Sequence, residues 1–346
     1  VKDDPAQKSL DFFDSAYENF LASVQQTQEI RKFYQLADFT LCLTFAGGAL
    51  IDFLTPALQH LEIARSEKAD LTICIWDGTS SQTPPIEIPW PSHSYALRGQ
   101  VIGYNNERIY TVFDEQMQIL QVFDKERHLA LYWIKNRGAV PWWIGTSPLL
   151  FILNWWMRTR RYQLTHAAAV GYPEGGVLLA GKSGSGKSTT SLACMKAGMQ
   201  YVSEDYCLLG DFPEMRVHSL YNSAKVAIQT LHLFPELQKQ VETAERLEGD
   251  KFFFFHHKFQ PEKILASCPL KALLTLKIEK TEESWLEAIS PHEAIASLSV
   301  TTLWQLSHSG PAVFQHLKRV AEGLPCYRLH LGSDLAQVPQ LIGKLL

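Results

Sequence analysis

Nine consecutive residues, Gly181-Lys182-Ser183-Gly184-Ser185-Gly186-Lys187-Ser188-Thr189, satisfy the pattern G-x-x-x-x-G-K-[ST] in full. The chemistry of that pattern is anion capture. Glycines let the backbone curl so that successive N–H groups point inward at phosphate oxygens. Lys187 is placed to reach the β- and γ-phosphates, and the Ser188 hydroxyl to coordinate Mg²⁺. A helix beginning there aims its positive end at the anion. Lys182 adds a charge inside the loop, for phosphate contact or for solvent. ATP and Mg²⁺ are the expected cofactors, with Gly181 to Thr189 as the binding set.

About 17–18 residues beyond Lys187 stands the pair Glu204-Asp205, leaving room for one helix and one strand. The spacing predicts the pair at the carboxyl end of a strand neighbouring the loop's own strand, the edge where α/β sheets bind ligands. One carboxylate can hold Mg²⁺, directly or through water. The other can accept the proton of an incoming hydroxyl. Adjacent residues on a strand point to opposite faces, which suits two roles. A solvated strand end is the bland alternative.

Such a loop needs a strand before it and a helix after it, and both are legible. "GVLLAG" is apolar, and "KSTTSLACMK" has helical character, with Gly198 placed to end the helix. "YQLTHAAAV" and "GVLLAG" around "GYPEG" predict a hairpin. "QYVSEDYCLLGD" reads as the next strand, followed by strands in "RVHSLYNSAKVA", "KALLTLKIEK" and "CYRLHLGSD". "PHEAIASLSVTTLWQLSH", "AVFQHLKRVAEG" and "VPQLIGKLL" read as helices. Upstream, residues 1–33 read as partly helical, and "DFTLCLTFAGG" and "DLTICIWDG" alternate as strands. Residues 81–95 are Pro-rich and predict a loop. Short alternating runs between 96 and 135 predict an antiparallel meander. Residues 147–160 resume a helical period, with Ser147 as N-cap and Pro148 at the first helical position. A boundary near 160 separates an α+β domain, 1–160, from an α/β domain, 161–346.

The stretch "THAAAVGYPEGGVLLAGKSGSGKSTTSLACMKAGMQYVSEDYCLL" resembles the core of the HPr kinase/phosphorylase family, bacterial serine kinases related in fold to PEP carboxykinase. The resemblance is strict over about 45 residues and looser over the rest of the C-terminal half. It implies a P-loop domain of that fold over 161–346 and kinase activity toward a hydroxyl. His166 matches the family's active-site histidine, Gly181 to Ser188 its phosphate loop, Glu204 its catalytic Asp and Asp205 its metal-side Asp. The chain also departs from the family. Its first acid is one methylene longer, and Lys182 and Thr189 replace common acidic residues. The segment tied to the reverse, phosphorylase reaction is not visible, and the N-terminal half is unlike the family's. The resemblance is therefore greater to the HPr-kinase-like proteins linked to modified-peptide pathways. It makes Glu204, His166 and Lys187 the expected catalytic set, and Ser188 and Asp205 the expected metal ligands.

Other residues carry weaker signals. Lys225 is expected in a loop over the sheet edge, contacting phosphate or product, or as a surface lysine. Ser219, Tyr221, Asn222 and Ser223 are substrate contacts or a turn. In "DKFFFFHHKF", from Asp250, the adjacent His256 and His257 diverge on a strand, which disfavours a metal site. Lys251 and Arg319 are spare cations. Trp142, Trp143, Trp155 and Trp156 read as core. Arg158, Arg160 and Arg161 form a local trio, read as a solvated helix end or anion site.

The 346 residues allow two domains. A hydrophobic content of 46% with 20% charged residues argues against disorder, and a net charge of −4 excludes a basic nucleic-acid footprint. Six scattered cysteines without metal-ligand spacing read as buried thiols in a reducing cytoplasm. "PLLFILNWWM" is too short to span a bilayer, which needs about 20 residues. No membrane partner is expected; a homo-oligomer is compatible with the sequence. The reading is a Mg-dependent kinase whose N-terminal half selects a serine on a peptide or small protein. A small-molecule hydroxyl stays open as acceptor. A P-loop ATPase or switch without an acceptor, and a module that nucleotide merely stabilises, are the rivals.

Overall fold

The structure, a computed structural model, describes residues 5–210, 213–241 and 251–346. The chain divides into two compact units of mixed α and β structure. The first takes in the chain up to Pro56, Leu61–Arg160 and Leu306–His308. The second takes in Ala57–His60, Arg161–Gln305 and Ser309–Leu346.

In the first unit, α1 (Pro5–Gln26) precedes a hairpin of β1 (Glu29–Leu36) and β2 (Phe39–Ala46). There follow α2 (Ile51–Leu54), β3 (Glu62–Ile63), β4 (Leu71–Asp77), β5 (Ile109–Asp114), β6 (Ile119–Asp124), β7 (Leu129–Ile134) and α3 (Leu150–Thr159). The sheet order is β3-β1-β2-β4-β7-β6-β5. The β5-β6-β7 portion is the expected meander, but β4 lies parallel to both β2 and β7, so the meander is one end of a mixed sheet. Phe13, Ala16 and Phe20 recur at helical spacing and bury one stripe of α1 against Trp76, Leu120 and Trp133. Trp155 and Trp156 of α3 are fully buried, edge-on to Tyr110 and Phe39. Trp143, by contrast, is 42% exposed and not core. Arg158 donates to the His308 carbonyl at 2.7 Å and Arg160 lies over the Phe39 ring.

Three local readings differ in this unit. The helix stops at Gln26, and "EIRKFYQL" pairs residue for residue with β2, a case of tertiary pairing overriding local preference. The run from Tyr95 forms only isolated bridges, with Arg98 turned to φ 60°. Ser147 does not cap α3; the N-cap position is Leu149, at φ 58°.

The second unit opens with β8 (Tyr162–Thr165), β9 (Ala168–Tyr172) and β10 (Gly175–Ala180), then α4 (Lys187–Lys196). Next come β11 (Gln200–Ser203), β12 (Cys207–Gly210), β13 (Arg216–Ser219) and β14 (Ser223–Ala227). After α5 (Ile228–Leu231), α6 (Pro235–Val241) and β15 (Lys251–Phe255) runs the long β16 (Ser267–Ile278). The chain ends through β17 (Trp285–Ala288), α7 (Pro291–Gln305), α8 (Pro311–Glu322), β18 (Cys326–Leu331) and α9 (Gln337–Gly343). The main sheet runs β11-β9-β10-β16-β13-β12-β8, with β18 also on β16 and β17 on β18. β10, β16 and β18 are mutually parallel. Every residue of β10 is buried because both faces are covered. Val177 and Leu179 face Cys194 of α4 and Val338 of α9, while Leu178 and Ala180 face α7 and α8. β14 and β15 form a separate two-stranded ribbon.

"QYVSEDYCLLGD" is two strands, not one, and β9 lies between β11 and β10, so the acid-bearing segment does not neighbour the loop's strand. "RVHSLYNSAKVA" is likewise two strands. Asp211 and Asp250, ends of two of the runs above, lie outside the described residues. All six cysteines are buried and free. Among the described residues no helix is long and apolar enough to cross a membrane.

Candidate functional site

The Gly181–Gly186 segment links the end of β10 to the start of α4. Gly181, Gly184 and Gly186 all have positive φ, at 157°, 80° and 101°. At Gly186 a side chain would be strained by its φ, and a Cβ would lie 2.6 Å from Leu331 Cδ1. Lys187 is buried, and its ammonium donates to the Gly181 carbonyl at 2.6 Å and the Lys182 carbonyl at 3.4 Å. Burial, with a smaller contribution from Lys251, lowers its pKa; Asp205 and Glu204 act in the opposite sense. Lys182, Ser183 and Gly184 are exposed at the loop's tip.

The acids sit at an interruption in an antiparallel ladder. β8 pairs with β12 up to Thr165↔Cys207, and β9 pairs with β11 from Ala169↔Ser203. Between those pairs the two segments, one with His166 and the other with Glu204 and Asp205, leave the ladder. Helix α7 braces both segments. Thr302 Oγ1 accepts from the His166 amide at 3.1 Å, and Tyr206 donates to Gln305 Oε1 at 2.6 Å. Thr302 and Gln305 are three apart on the helix and so share a face.

Glu204 is 3% exposed. Burial first, then neighbouring Asp205, pushes its pKa up to about 8, although the Ser188 hydroxyl and the Lys225 amide favour its charged form. Asp205 goes the other way: burial alone would raise its pKa, but Lys225 foremost, with His166 and Lys187, holds it below the usual carboxylate value. His166 Nε2 stands 4.0 Å from Asp205 Oδ1, beyond hydrogen-bond reach. Burial and the nearby Lys187 lower the His166 pKa to about 4, so the ring is neutral at pH 7. Its Nδ1 is buried without a hydrogen-bond partner.

Lys225 comes from the β14–β15 ribbon rather than from a loop. Ala224 and Val226 pack with Phe254 against Leu192 and Ala193 of α4. Strand alternation turns Lys225 to the other face, shared with Lys251 through the Ala227↔Lys251 pair. Lys225 Nζ lies 2.8 Å from Asp205 Oδ2, and its carbonyl is 3.4 Å from Ser188 Oγ. Tyr201 anchors the approach to this ribbon, its hydroxyl 3.1 Å from the carbonyls of Tyr221 and Ser223.

The structure therefore brings together Lys187, Ser188, Glu204, Asp205, His166 and Lys225, drawn from four separate segments. It does not bring in every candidate. Ser219, Tyr221, Asn222 and Ser223 are buried. The Asn222 amide is spent on the Ala57 carbonyl at 2.9 Å, His60 at 3.1 Å and His257 at 2.9 Å. His256 packs tilted against Tyr201 with ring centroids 4.1 Å apart. Arg319 meets His316 of its own helix at 3.3 Å. Thr189 Oγ1 faces Thr230 Oγ1 at 3.3 Å. Thr302, Gln305, Tyr201 and Tyr206 were not singled out by sequence.

A Mg²⁺–phosphate group fits these residues. The Ser185 hydroxyl is buried within the loop with no partner, an orphan polar group that a phosphate oxygen could satisfy. No cluster of three or more His, Cys, Asp or Glu able to hold a metal occurs among the described residues. A cation here would lean on Ser188, one carboxylate and phosphate oxygens, which is the habit of Mg²⁺.

No family model matches the chain, and no curated protein matches it. Among solved structures, the Hpr(Ser) kinase/phosphatase from Coxiella burnetii is similar at 14% sequence identity and a TM-score of 0.28, over 53% of this chain and 93% of that chain.

Proposed function

We propose that this chain binds ATP with Mg²⁺ at the Gly181–Thr189 loop and transfers the terminal phosphoryl group to a hydroxyl, on a serine of a peptide or small protein. The observation that carries the reading is the meeting of two distant motifs. Lys225 joins them, its ammonium 2.8 Å from Asp205 Oδ2 and its carbonyl 3.4 Å from Ser188 Oγ, and both acids act on Lys187.

In this reading Lys187 leaves the Gly181 and Lys182 carbonyls for the β- and γ-phosphates, and the loop's amides take the remaining oxygens. Ser188 and Asp205 would hold Mg²⁺, which would neutralise charge on the phosphoryl oxygens. The acceptor oxygen bonds to phosphorus as the bond from phosphorus to the bridging oxygen breaks and ADP leaves. The hydroxyl proton passes to Glu204 in its ionised form, the form that the Ser188 hydroxyl and the Lys225 amide favour. His166, neutral and with Nδ1 unspent, orients the acceptor by a hydrogen bond. Little covalent chemistry is asked of the protein, so positioning dominates. Residues 1–160 contribute to choosing the acceptor.

The test is incubation with γ-labelled ATP, with and without serine peptides and small alcohols, reading labelled product against free phosphate. Transfer to a peptide supports the proposal, and transfer to an alcohol alone redirects it to a small-molecule kinase. Phosphate release indifferent to every acceptor would replace it with an ATPase or switch. Lys187→Ala should weaken nucleotide binding by roughly 30-fold or more, since it removes a buried charged contact. Unchanged binding in that variant would remove the loop from the reading.

A further inference from the structure

Lys225 touches all three groups that would surround a cation at this site. Its ammonium is 2.8 Å from Asp205 Oδ2, its carbonyl is 3.4 Å from Ser188 Oγ, and its amide favours the charged form of Glu204. The backbone of Lys225 is fixed by the ribbon and by Tyr201, whereas its side chain is 29% exposed. The head group can therefore move while the main chain stays. The ammonium lies against the carboxylate that the metal reading needs, at a distance where a second cation cannot share the same oxygen without strong repulsion.

The geometry points to a competition: Lys225 and a divalent cation exclude one another at Asp205, and Lys225 is the positioning residue that makes cation uptake depend on the nucleotide. This rests on the nucleotide reading above. A nucleoside triphosphate arriving with its cation gives the displaced ammonium a new anion within reach, the phosphate chain, so the exchange conserves charge pairing. A free cation offers no such partner and must displace Lys225 into solvent. Lys225 is then a brake on free metal and a clamp on the metal–nucleotide pair. Lys251, on the same face of the ribbon and close enough to act on Lys187, adds to the field that discourages a lone cation.

The test uses Mn²⁺, read by electron paramagnetic resonance, and a non-hydrolysable ATP analogue, read by calorimetry. Wild type should bind free Mn²⁺ weakly. Lys225→Met, which keeps the stem and removes the charge, should bind it about tenfold more tightly or better. The same variant should bind the Mn²⁺–analogue pair several-fold more weakly, and Lys225→Arg should restore both values toward wild type. Asp205→Asn in the Lys225→Met background should abolish the gain, which ties it to that carboxylate rather than to loosened packing. Equal free-Mn²⁺ affinities in wild type and a folded Lys225→Met would overturn the competition, even if the analogue binds normally. If neither protein binds the analogue, the nucleotide reading fails instead, and a retained Mn²⁺ difference would still uphold the competition at Asp205. Lys225→Gln provides a second neutral variant should the first fold poorly.

Discussion

Two of the buried carboxylates at strand ends, Asp124 and Glu204, have surroundings that differ in kind. Asp124, at the end of β6 in the first unit, is 0% exposed and accepts from Arg108 at 2.9 and 2.7 Å and from the amides of Glu126 and Arg127 at 2.9 and 3.2 Å. Burial works against its charge, yet those donors prevail and its pKa is lowered. Glu204, past the end of β11 in the second unit, is buried nearly as deeply but has an acid for a neighbour, and its pKa is raised to about 8. Asp124 holds a turn together because every lone pair is spent. Glu204 is left proton-seeking, and burying a carboxylate in that condition costs stability that a purely structural site would not retain.

Exchanging the roles of these two residues should fail in opposite ways. Glu204→Gln should cut phosphoryl transfer by about 10²–10⁴-fold while nucleotide binding persists, whereas Asp124→Asn should leave transfer at the wild-type rate. Rapid transfer by Glu204→Gln in a quenched-flow assay would remove it as proton acceptor.

The pH dependence of stability should split the pair as well. Glu204 has a folded pKa above its free value of 4.5, so its contribution is fully present below about pH 4.5 and is lost as pH rises toward about 8. The stability of Glu204→Gln relative to wild type should therefore climb across that window by on the order of 2–4 kcal/mol, in denaturant titrations at each pH. The folded pKa of Asp124 lies below its free value, so its contribution is present above that value and fades in acid. The deficit of Asp124→Asn should shrink as pH falls. Two difference curves of the same slope would break the comparison.

At neutral pH, Asp124→Ala should cost about 1.5–3 kcal/mol, because it deprives charged and amide donors of their acceptor. Urea unfolding measures this, and a loss under half a kilocalorie would mean that solvent replaces those partners. The smallest effect is expected at the brace. Thr302→Val removes the acceptor of the His166 amide and should cost about 1 kcal/mol, with transfer reduced more than nucleotide affinity. Equal losses in both would point to general loosening rather than to a misplaced histidine.

Much of the fold was legible where the signal is local. β10 reads as a buried strand because all six of its residues are apolar or glycine, and both of its faces are covered. Gly198, at φ 101°, stops α4 as its position suggested. β1 was missed because "EIRKFYQL" alternates weakly, and its strand form depends on pairing with β2. The acid pair was expected at the carboxyl end of a strand beside β10; it does follow the end of β11, in a bend before β12, but β9 intervenes. Nothing in "VSEDYC" marks that bend. It exists because β8 and β9 part at His166 opposite it, and because Thr302 and Gln305, about a hundred residues further on, hold both sides.

By itself the sequence determined the glycine loop and the lysine and serine that close it. A loop of that kind would capture an anion with consecutive backbone amides, so its whole design is contiguous. Only the tertiary structure decided which acid is buried with its proton, which is held charged by Lys225, and which histidine stands neutral beside them. Those properties belong to the low-dielectric surroundings and to neighbours from distant segments, and no local run of residues can encode them.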